Sequence, residues 1–222
     1  MLAIDSIIPG TFGMPGRRGA PSFELEAAEI ALGRGPVAGI DEAGRGPWAG
    51  PVVAAAVILD PDAIPPGIDD SKALDELARE TAFGRIIKCA RVGVGIADVA
   101  RIDRDNILQA TMYAMSEAVA ALGTVPGLAI IDGNRVPRLA CPARAIVKGD
   151  ARCLSIAAAS IVAKVTRDRI MVALGREYPG YGFERHKGYG VPEHKAALAR
   201  LGVTPHHRRS FKPVQLALGL ES

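Results

Sequence analysis

The sequence predicts an α/β fold in which a mixed sheet is covered by helices. Short apolar runs that are typical of buried strands alternate with longer segments whose apolar residues recur at helical spacing. The longest helical pattern, over residues 150–175, contains a run of alanines that suits close packing against a sheet. The 222 residues are enough for one such domain with an appendage.

The first elements are short and separated by turn residues. Ser22 is expected to cap a helix over residues 23–32. A strand over residues 37–41 runs into a turn rich in glycine and proline over residues 44–47. The next strand, over residues 52–59, is apolar enough to be buried on both faces.

The same alternation continues to the C-terminal end. A loop marked by prolines leads to a helix that ends near residue 88, residues 91–97 alternate as a strand does, and residues 105–122 form an amphipathic helical pattern. Two short strands, the long helix and two short C-terminal helices complete the order: residues 128–132, 145–147, 150–175, 192–201 and 213–219.

Several classes of protein are not expected. Residues 1–21 are rich in Gly, Pro and Arg and are predicted to be a disordered extension before a single domain over residues 22–222. The apolar start contains Asp5 and no basic cluster, so it is a poor signal peptide, and no run of 18 apolar residues predicts a membrane span. The three cysteines form no CxxC pair, which fits a reducing cytoplasm.

The charge is only weakly informative about partners. The formal net charge of +3 is compatible with a polyanion but does not demand one. Basic residues gather within residues 200–212, which contain no acid, and they form either a solvated loop or a surface that contacts phosphates. They are Arg200, His206, His207, Arg208, Arg209 and Lys212.

Four acids stand where predicted strands end or the long helical pattern begins: Asp41, Glu42, Asp132 and Asp150. A carboxylate at the edge of an apolar run is costly unless it is paired, caps a helix or binds a metal. Asp132 before a glycine is by itself typical of a turn, and Asp150 of a helix cap. The adjacent Asp41 and Glu42 are different, because they repel each other without a cation. Since neighbouring strand ends converge in an open α/β sheet, the four acids are predicted to cluster.

Such a cluster indicates a hard divalent cation. Four carboxylates without cysteine or suitably spaced histidine select Mg²⁺ or Mn²⁺, and two ions about 4 Å apart could clamp the attacking and leaving oxygens of a phosphodiester. Successive side chains of a strand point to opposite faces, so Asp41 and Glu42 can share a site only if the backbone turns at Glu42. Ala43 and Gly44 would allow that turn.

Two loops could hold a polynucleotide. The turn Gly44-Arg45-Gly46 would let backbone amides approach a nucleic acid closely, with Arg45 available for phosphate or sugar. Its spacing and the strand after it differ from a dinucleotide loop, and no P-loop motif is present. Tyr189 lies between glycines, where its ring either packs in the protein or stacks on a sugar or base, close to the 2′-hydroxyl that distinguishes RNA from DNA.

Residues 37–47, VAGIDEAGRGP, closely resemble the ribonuclease HII family. Further segments resemble the same family in the same order, and together they cover about residues 22–216. They are residues 69–72, 131–134, 148–168, 181–189 and 206–211.

The resemblance implies a ribonuclease-H-like fold, with a mixed five-stranded sheet flanked by helices and a C-terminal helical portion. It also implies that the four acids are the catalytic, metal-binding residues and that Gly44, Arg45, Gly46 and Tyr189 bind substrate. The implied reaction hydrolyses the RNA strand of RNA–DNA hybrids and cuts 5′ to single ribonucleotides in duplex DNA, leaving 3′-hydroxyl and 5′-phosphate ends. The enzyme is expected to use Mg²⁺ or Mn²⁺, two ions in the reacting complex, and to be a cytoplasmic monomer without a membrane partner.

Two positions qualify this resemblance. Many relatives have a proline after the tyrosine, where this chain has Gly190, which could loosen the loop around Tyr189. Asp168 resembles the family too, but Lys164 lies four residues before it on a helix, so the two are predicted to be a structural pair outside the site.

Three other functions are weighed against this one. A transposase-like nuclease would share the acids but is not expected to have the Gly-Arg-Gly turn or the Tyr189 loop. A binding module without catalysis predicts that at least one acid is missing, and none is. A sugar or acetate kinase of the same superfamily would need nucleotide-binding glycine motifs that the sequence lacks.

Overall fold

A computed structural model describes residues 20–220, which fold around one five-stranded sheet. The strands are β1 (Val37–Ala43), β2 (Val52–Ile58), β3 (Arg91–Ala97), β4 (Leu128–Asp132) and β5 (Ala143–Ile146). They lie in the order β3-β2-β1-β4-β5. β1, β2 and β3 are antiparallel neighbours, whereas β1, β4 and β5 run parallel. The mixed sheet confirms the predicted fold class.

Helices cover both faces of this sheet. They are α1 (Glu24–Ala31), α2 (Glu76–Cys89), α3 (Val99–Ala120), α4 (Leu154–Glu177), α5 (Phe183–His186), α6 (Pro192–Leu201) and α7 (Lys212–Ala217). α3 packs on one face, and α2 and α4 pack on the other. β2 lies between the two cores and is buried along its whole length, as its composition predicts.

Small residues bring the helices unusually close to the sheet. A Cβ atom on Gly39 of β1 would lie 2.1 Å from the backbone carbon of Ser155 in α4. On the other face, a Cβ on Gly95 of β3 would lie 2.0 Å from the carbonyl oxygen of Ala114 in α3. Four alanines of α4 are fully buried: Ala157, Ala158, Ala159 and Ala163. Close packing of α4 on the sheet therefore depends on very small residues both on β1 and on the helix.

Three predicted helix ends are wrong. Ser22 does not cap α1, because its backbone pairs with the segment around Cys153 instead. α3 begins earlier than residue 105, since the Asp98 side chain accepts a hydrogen bond from the Arg101 amide and caps a first turn before a kink at Asn106. α4 begins at Leu154 rather than at residue 150, because a short 3₁₀ turn, Gly149–Ala151, precedes it.

Most of the predicted disordered extension, residues 1–21, lies outside the described residues. Of its last two members, Ala20 is exposed and Pro21 is buried. Within residues 20–220, no helix has the length and apolar character needed to cross a membrane.

Candidate active site

The register of the sheet brings three of the four predicted acids together. Ile40 of β1 pairs with Ile131 of the parallel strand β4, so Asp41 and Asp132 follow at the same edge of the sheet. β5 runs parallel on the other side of β4, and the 3₁₀ turn after it carries Asp150 back to that edge. One carboxylate oxygen from each of Asp41, Asp132 and Asp150 lies within 4.8 Å of the others.

Hydrogen bonds hold these three side chains in place. Asp132 accepts from the amide of Gly149 at 2.7 Å, which joins the end of β4 to the turn before α4. Asp150 accepts from the amide of Ala151 at 3.0 Å rather than capping α4. The Glu42 amide donates to the Asp41 carboxylate at 2.7 Å. Backbone amides of β1 and of the turn before α4 therefore hold the trio, and the nearby Ser160 hydroxyl of α4 lowers the pKa of Asp41.

The electrostatics of this group favour a cation. Burial raises the pKa of Asp41 well above its ordinary value, and the neighbouring carboxylates of Glu42 and Asp132 raise it further. Burial also raises the pKa of Asp132, and the charge of Asp150 adds to that rise. Repelling carboxylates that are held together by the fold are the arrangement that a divalent ion relieves.

Lys72 supplies positive charge at this site, although the sequence reasoning gave it no role. Its ammonium donates to the Asp150 carboxylate at 2.8 Å from a largely exposed side chain. This hydrogen bond, followed by the charges of Asp150, Asp70 and Asp41, raises the pKa of Lys72 despite some burial. The sequence offered two signals for Lys72: it follows two aspartates, and residues 69–72 resemble the ribonuclease HII family. Neither signal assigns it a partner.

Glu42 lies on the opposite face of β1 from Asp41. The strand continues through Ala43 in register with β2, so the expected turn of the backbone at Glu42 is wrong. The Glu42 carboxylate accepts from Arg45 at 3.2 Å and lines a cleft of about 110 Å³ together with Asp132. Burial raises its pKa, and Arg45 opposes that rise. Glu42 therefore borders the trio across the end of the sheet but is not one of its three members.

The Gly-Arg-Gly turn stands beside this cleft. Gly44 has a φ of +96°, and a Cβ atom there would collide with the buried side chain of Arg167, so this position requires glycine. Arg45 and Gly46 are exposed. The turn thus combines a tightly packed base with an accessible outer surface.

Two buried arginines bind the backbone of this turn and of the strand start after it. The sequence placed Arg208 in a basic surface segment and gave no role to Arg167. Arg208 donates to the carbonyls of Gly44, Arg45, Gly50 and Pro51. Arg167 donates to the carbonyls of Pro51, Ala49 and Lys187. No carboxylate in residues 20–220 forms an ion pair with either guanidinium.

Tyr189 lies against the same turn. The residue is 46% exposed, and a Cβ atom on Gly46 would lie 3.7 Å from its ring, at ordinary contact distance. Arg167 binds the loop before Tyr189 as well as the base of the turn. The structure therefore brings Gly44, Arg45, Gly46 and Tyr189 into one surface next to the acids, and the exposed ring is not a core residue.

A chain of neutral histidines fixes the backbone of Tyr189. His207 accepts at Nδ1 from the Thr204 amide at 2.9 Å, so its proton lies on Nε2, which donates to His194 Nε2 at 3.0 Å. His194 then donates from Nδ1 to the Tyr189 carbonyl at 3.0 Å. Burial lowers the pKa of His194, and burial lowers that of His207 to about 4, helped by His194.

The basic C-terminal segment is only partly a surface. His207 and Arg208 are buried and bind other parts of the chain, whereas Arg200, Arg209 and Lys212 are exposed. The interpretation of the whole segment as a solvated loop or a phosphate-binding surface is therefore wrong for its two central residues. The predicted Lys164–Asp168 pair is confirmed, with Nζ 2.7 Å from the carboxylate.

Similar proteins are known. A family model described as Ribonuclease HII matches residues 38–214. A curated protein named Ribonuclease HII from Bradyrhizobium diazoefficiens is 60% identical over 196 residues, which are 88% of this chain and 75% of that protein.

Two solved structures share the architecture. The ribonuclease H2 of Pyrococcus horikoshii has a TM-score of 0.66 at 29% identity and covers 82% of this chain and 96% of its own. The complex of PCNA with ribonuclease HII from Archaeoglobus fulgidus contains a chain with a TM-score of 0.69 at 27% identity, covering 82% and 96%. The sheet and helices described above are thus similar to those of proteins that carry this family name.

Proposed function

The chain belongs to the ribonuclease HII family and is a ribonuclease H, and we propose that it cuts two kinds of substrate. It hydrolyses the RNA strand of RNA–DNA hybrids, and it cuts 5′ to a single ribonucleotide embedded in duplex DNA. Each cut leaves a 3′-hydroxyl and a 5′-phosphate. One observation carries this proposal: the carboxylates of Asp41, Asp132 and Asp150 lie within 4.8 Å of each other, beside the exposed Gly-Arg-Gly turn.

The donor set fits a hard divalent cation. All three groups are carboxylates, they are buried or half-buried, and burial with mutual repulsion raises the pKa of Asp41 and Asp132. We propose that these three residues hold Mg²⁺ or Mn²⁺ and that Glu42, across the sheet edge, completes the set. Two such ions would lower the pKa of the attacking water and stabilise charge on the leaving 3′ oxygen.

The remaining residues bind and orient the substrate. Arg45 lies beside the acids with its guanidinium on Glu42, in reach of a phosphate or sugar near the cut. Gly44 and Gly46 allow the backbone to approach the nucleotides around the RNA–DNA junction. The exposed ring of Tyr189 lies against Gly46 and stacks on the sugar there, where it detects the 2′-hydroxyl.

The whole of residues 22–222 acts as one catalytic unit in this proposal. The C-terminal helical segment is part of it, since Arg208 and His207 support the substrate loops. We place the enzyme in the cytoplasm as a monomer, consistent with three cysteines that form no disulfide.

The first test uses a DNA duplex with one ribonucleotide, incubated with Mg²⁺, Mn²⁺ or EDTA. A single metal-dependent cut 5′ to the ribonucleotide is expected, and none in an otherwise identical all-DNA duplex. Asp168→Asn is a matched control, because Asp168 is an aspartate of α4 that pairs with Lys164 outside the site. It should cut like the unaltered enzyme.

The other outcomes separate the parts of the proposal. Cleavage of a long RNA–DNA hybrid without a cut at the single ribonucleotide would keep the acids and remove the role of Tyr189. If neither substrate is cut with either metal, the proposed activity is wrong and a binding function takes its place.

A further inference from the structure

Arg208 and Arg167 are unusual among the charged residues of this chain. Their side chains are 0% and 1% exposed, and together they make seven hydrogen bonds, all to backbone carbonyls. Burial lowers the pKa of Arg208 to about 9, and the charge of Arg167 lowers it further. Two like charges buried together are costly, so a purely structural role would be expected to include a carboxylate partner.

The carbonyls that Arg208 binds determine where two amides point. Arg208 contacts the Gly44 carbonyl at 2.5 Å and the Arg45 carbonyl at 2.9 Å. In a trans peptide the C=O and N–H groups point in opposite directions. The N–H groups of Arg45 and Gly46 must therefore point away from Arg208, towards the exposed side of the turn.

These two amides have no partner within residues 20–220. The next residue, Pro47, has no N–H, and the amide of Trp48 already donates to the Gly188 carbonyl. Neighbouring N–H groups on one exposed turn, with positive charge behind them, are suited to an anionic oxygen.

We propose that Arg208 is the positioning residue of the substrate turn, where it aims the amides of Arg45 and Gly46 at one phosphodiester oxygen of the nucleic acid. Arg167 holds the base of the turn and the loop before Tyr189. The substrate phosphate supplies the negative charge that the arginine pair lacks. This inference rests on the proposed function, since it takes the ligand to be a polynucleotide.

The test measures binding of a duplex with one ribonucleotide in the Asp41→Asn background, so that it is not cut. Each phosphate near the ribonucleotide is replaced in turn by an uncharged methylphosphonate. With Arg208 present, one replacement should raise Kd about 10- to 100-fold, the equivalent of one charge-assisted hydrogen bond. With Arg208→Lys, which keeps charge but not the fork of donors, Kd for the unmodified duplex should rise by that factor. In that variant, the methylphosphonate at the sensitive phosphate should change Kd by less than about threefold.

A second variant covers the case in which Arg208→Lys does not fold. Gly46→Pro removes one of the two N–H groups from an exposed position and should lose sensitivity at the same linkage. Arg176→Lys, on the exposed end of α4, serves as the control for a conservative arginine change and should keep full sensitivity.

The outcomes are separable from those of the proposed function. If Arg208→Lys or Gly46→Pro binds with undiminished sensitivity to the neutral linkage, Arg208 does not aim the turn, whatever the enzyme cuts. If the unaltered enzyme cuts neither substrate, the proposed function fails, even where the binding scan shows the expected dependence on Arg208.

Discussion

At the scale of single residues, the Asp41 carboxylate that is proposed to bind metal is expected to destabilise the protein when no metal is bound. Its carboxyl is buried beside Glu42 and Asp132, and the hydrogen bond from the Glu42 amide, with the charge of Lys72, stabilises its ionised form only in part. A group whose burial and neighbours disfavour ionisation makes the metal-free protein less stable than a neutral group of the same shape would.

Asp41→Asn should therefore raise the melting temperature in EDTA and lower cleavage by more than about 100-fold, because one preorganised electrostatic group is lost. Mg²⁺ should raise the melting temperature of the unaltered protein more than that of the variant. Thermal unfolding with and without the ion measures both effects. A variant that melts below the unaltered protein in EDTA would show that repulsion within the trio is small.

The proposed role of Tyr189, stacking on a sugar or base at the cut, depends on its exposed ring. Tyr189→Ala should lower cleavage at a single ribonucleotide by about 10- to 100-fold, because stacking of a base or sugar on an aromatic ring contributes about 1 to 3 kcal/mol. Tyr189→Phe keeps the ring, so any loss of cleavage in that variant is due to the missing hydroxyl. The free energy of unfolding should change by less than about 0.5 kcal/mol, because the ring is half-exposed. If the alanine variant cuts this substrate as fast as the unaltered enzyme, Tyr189 is not part of the site.

At the scale of secondary-structure elements, the contact between β1 and α4 positions the acids. β1 carries Asp41, α4 carries the Ser160 hydroxyl that lowers the pKa of Asp41, and Gly39 lets the two elements meet with backbone against backbone. The geometry of the trio therefore depends on a glycine two residues before the first acid.

Gly39→Ala should destabilise the protein by at least about 3 kcal/mol, since the new Cβ would lie 2.1 Å from backbone that cannot rotate away. Gly84→Ala is the matched control. Gly84 lies inside α2 with open space around it, and alanine there should add about 0.5 to 1 kcal/mol. Urea unfolding measures both changes, and a mild effect of Gly39→Ala would mean that α4 can shift without loss of packing.

At the scale of the whole molecule, the proposed substrate surface is assembled from distant parts of the chain. The Trp48 amide donates to the Gly188 carbonyl, and the Arg208 amide donates to the Trp48 carbonyl. The turn after β1, the Tyr189 loop and the C-terminal segment thus form one hydrogen-bonded unit. His207 and His194 lie at its centre. The His186 ring stacks on His194, the Tyr181 ring lies 5.4 Å from that of His207, and the charges of His206 and Glu193 act on the pair.

This unit should make stability depend on pH in the acidic range. The pKa of His207 is lowered to about 4 in the folded state, against about 6.5 when unfolded, so the unfolded chain binds more protons between these values. The stability it contributes is full above pH 6.5 and is lost as the pH falls towards 4, by about 1 to 3 kcal/mol. His207→Gln should flatten the fall in melting temperature over this window. Parallel profiles for the two proteins would show that another group causes the acid sensitivity.

The α/β alternation, most strand positions and the acids at the strand ends follow from the order of residues along the chain. These features are local: apolar periodicity follows from the geometry of each element, and parallel strand ends converge wherever such a sheet forms. The glycines of the Gly-Arg-Gly turn are predictable for the same reason, because Gly44 stands directly after β1.

Packing between distant segments sets the face of β1 that carries Glu42, brings Lys72 to Asp150, and buries His207 and Arg208. A basic segment is predicted to be exposed unless its hydrogen-bond partners are known. One partner of the Arg208 guanidinium is the carbonyl of Gly44, which lies 164 residues earlier in the chain. Burial of a charge depends on the groups that surround it in space, and nothing in the residues beside Arg208 specifies them.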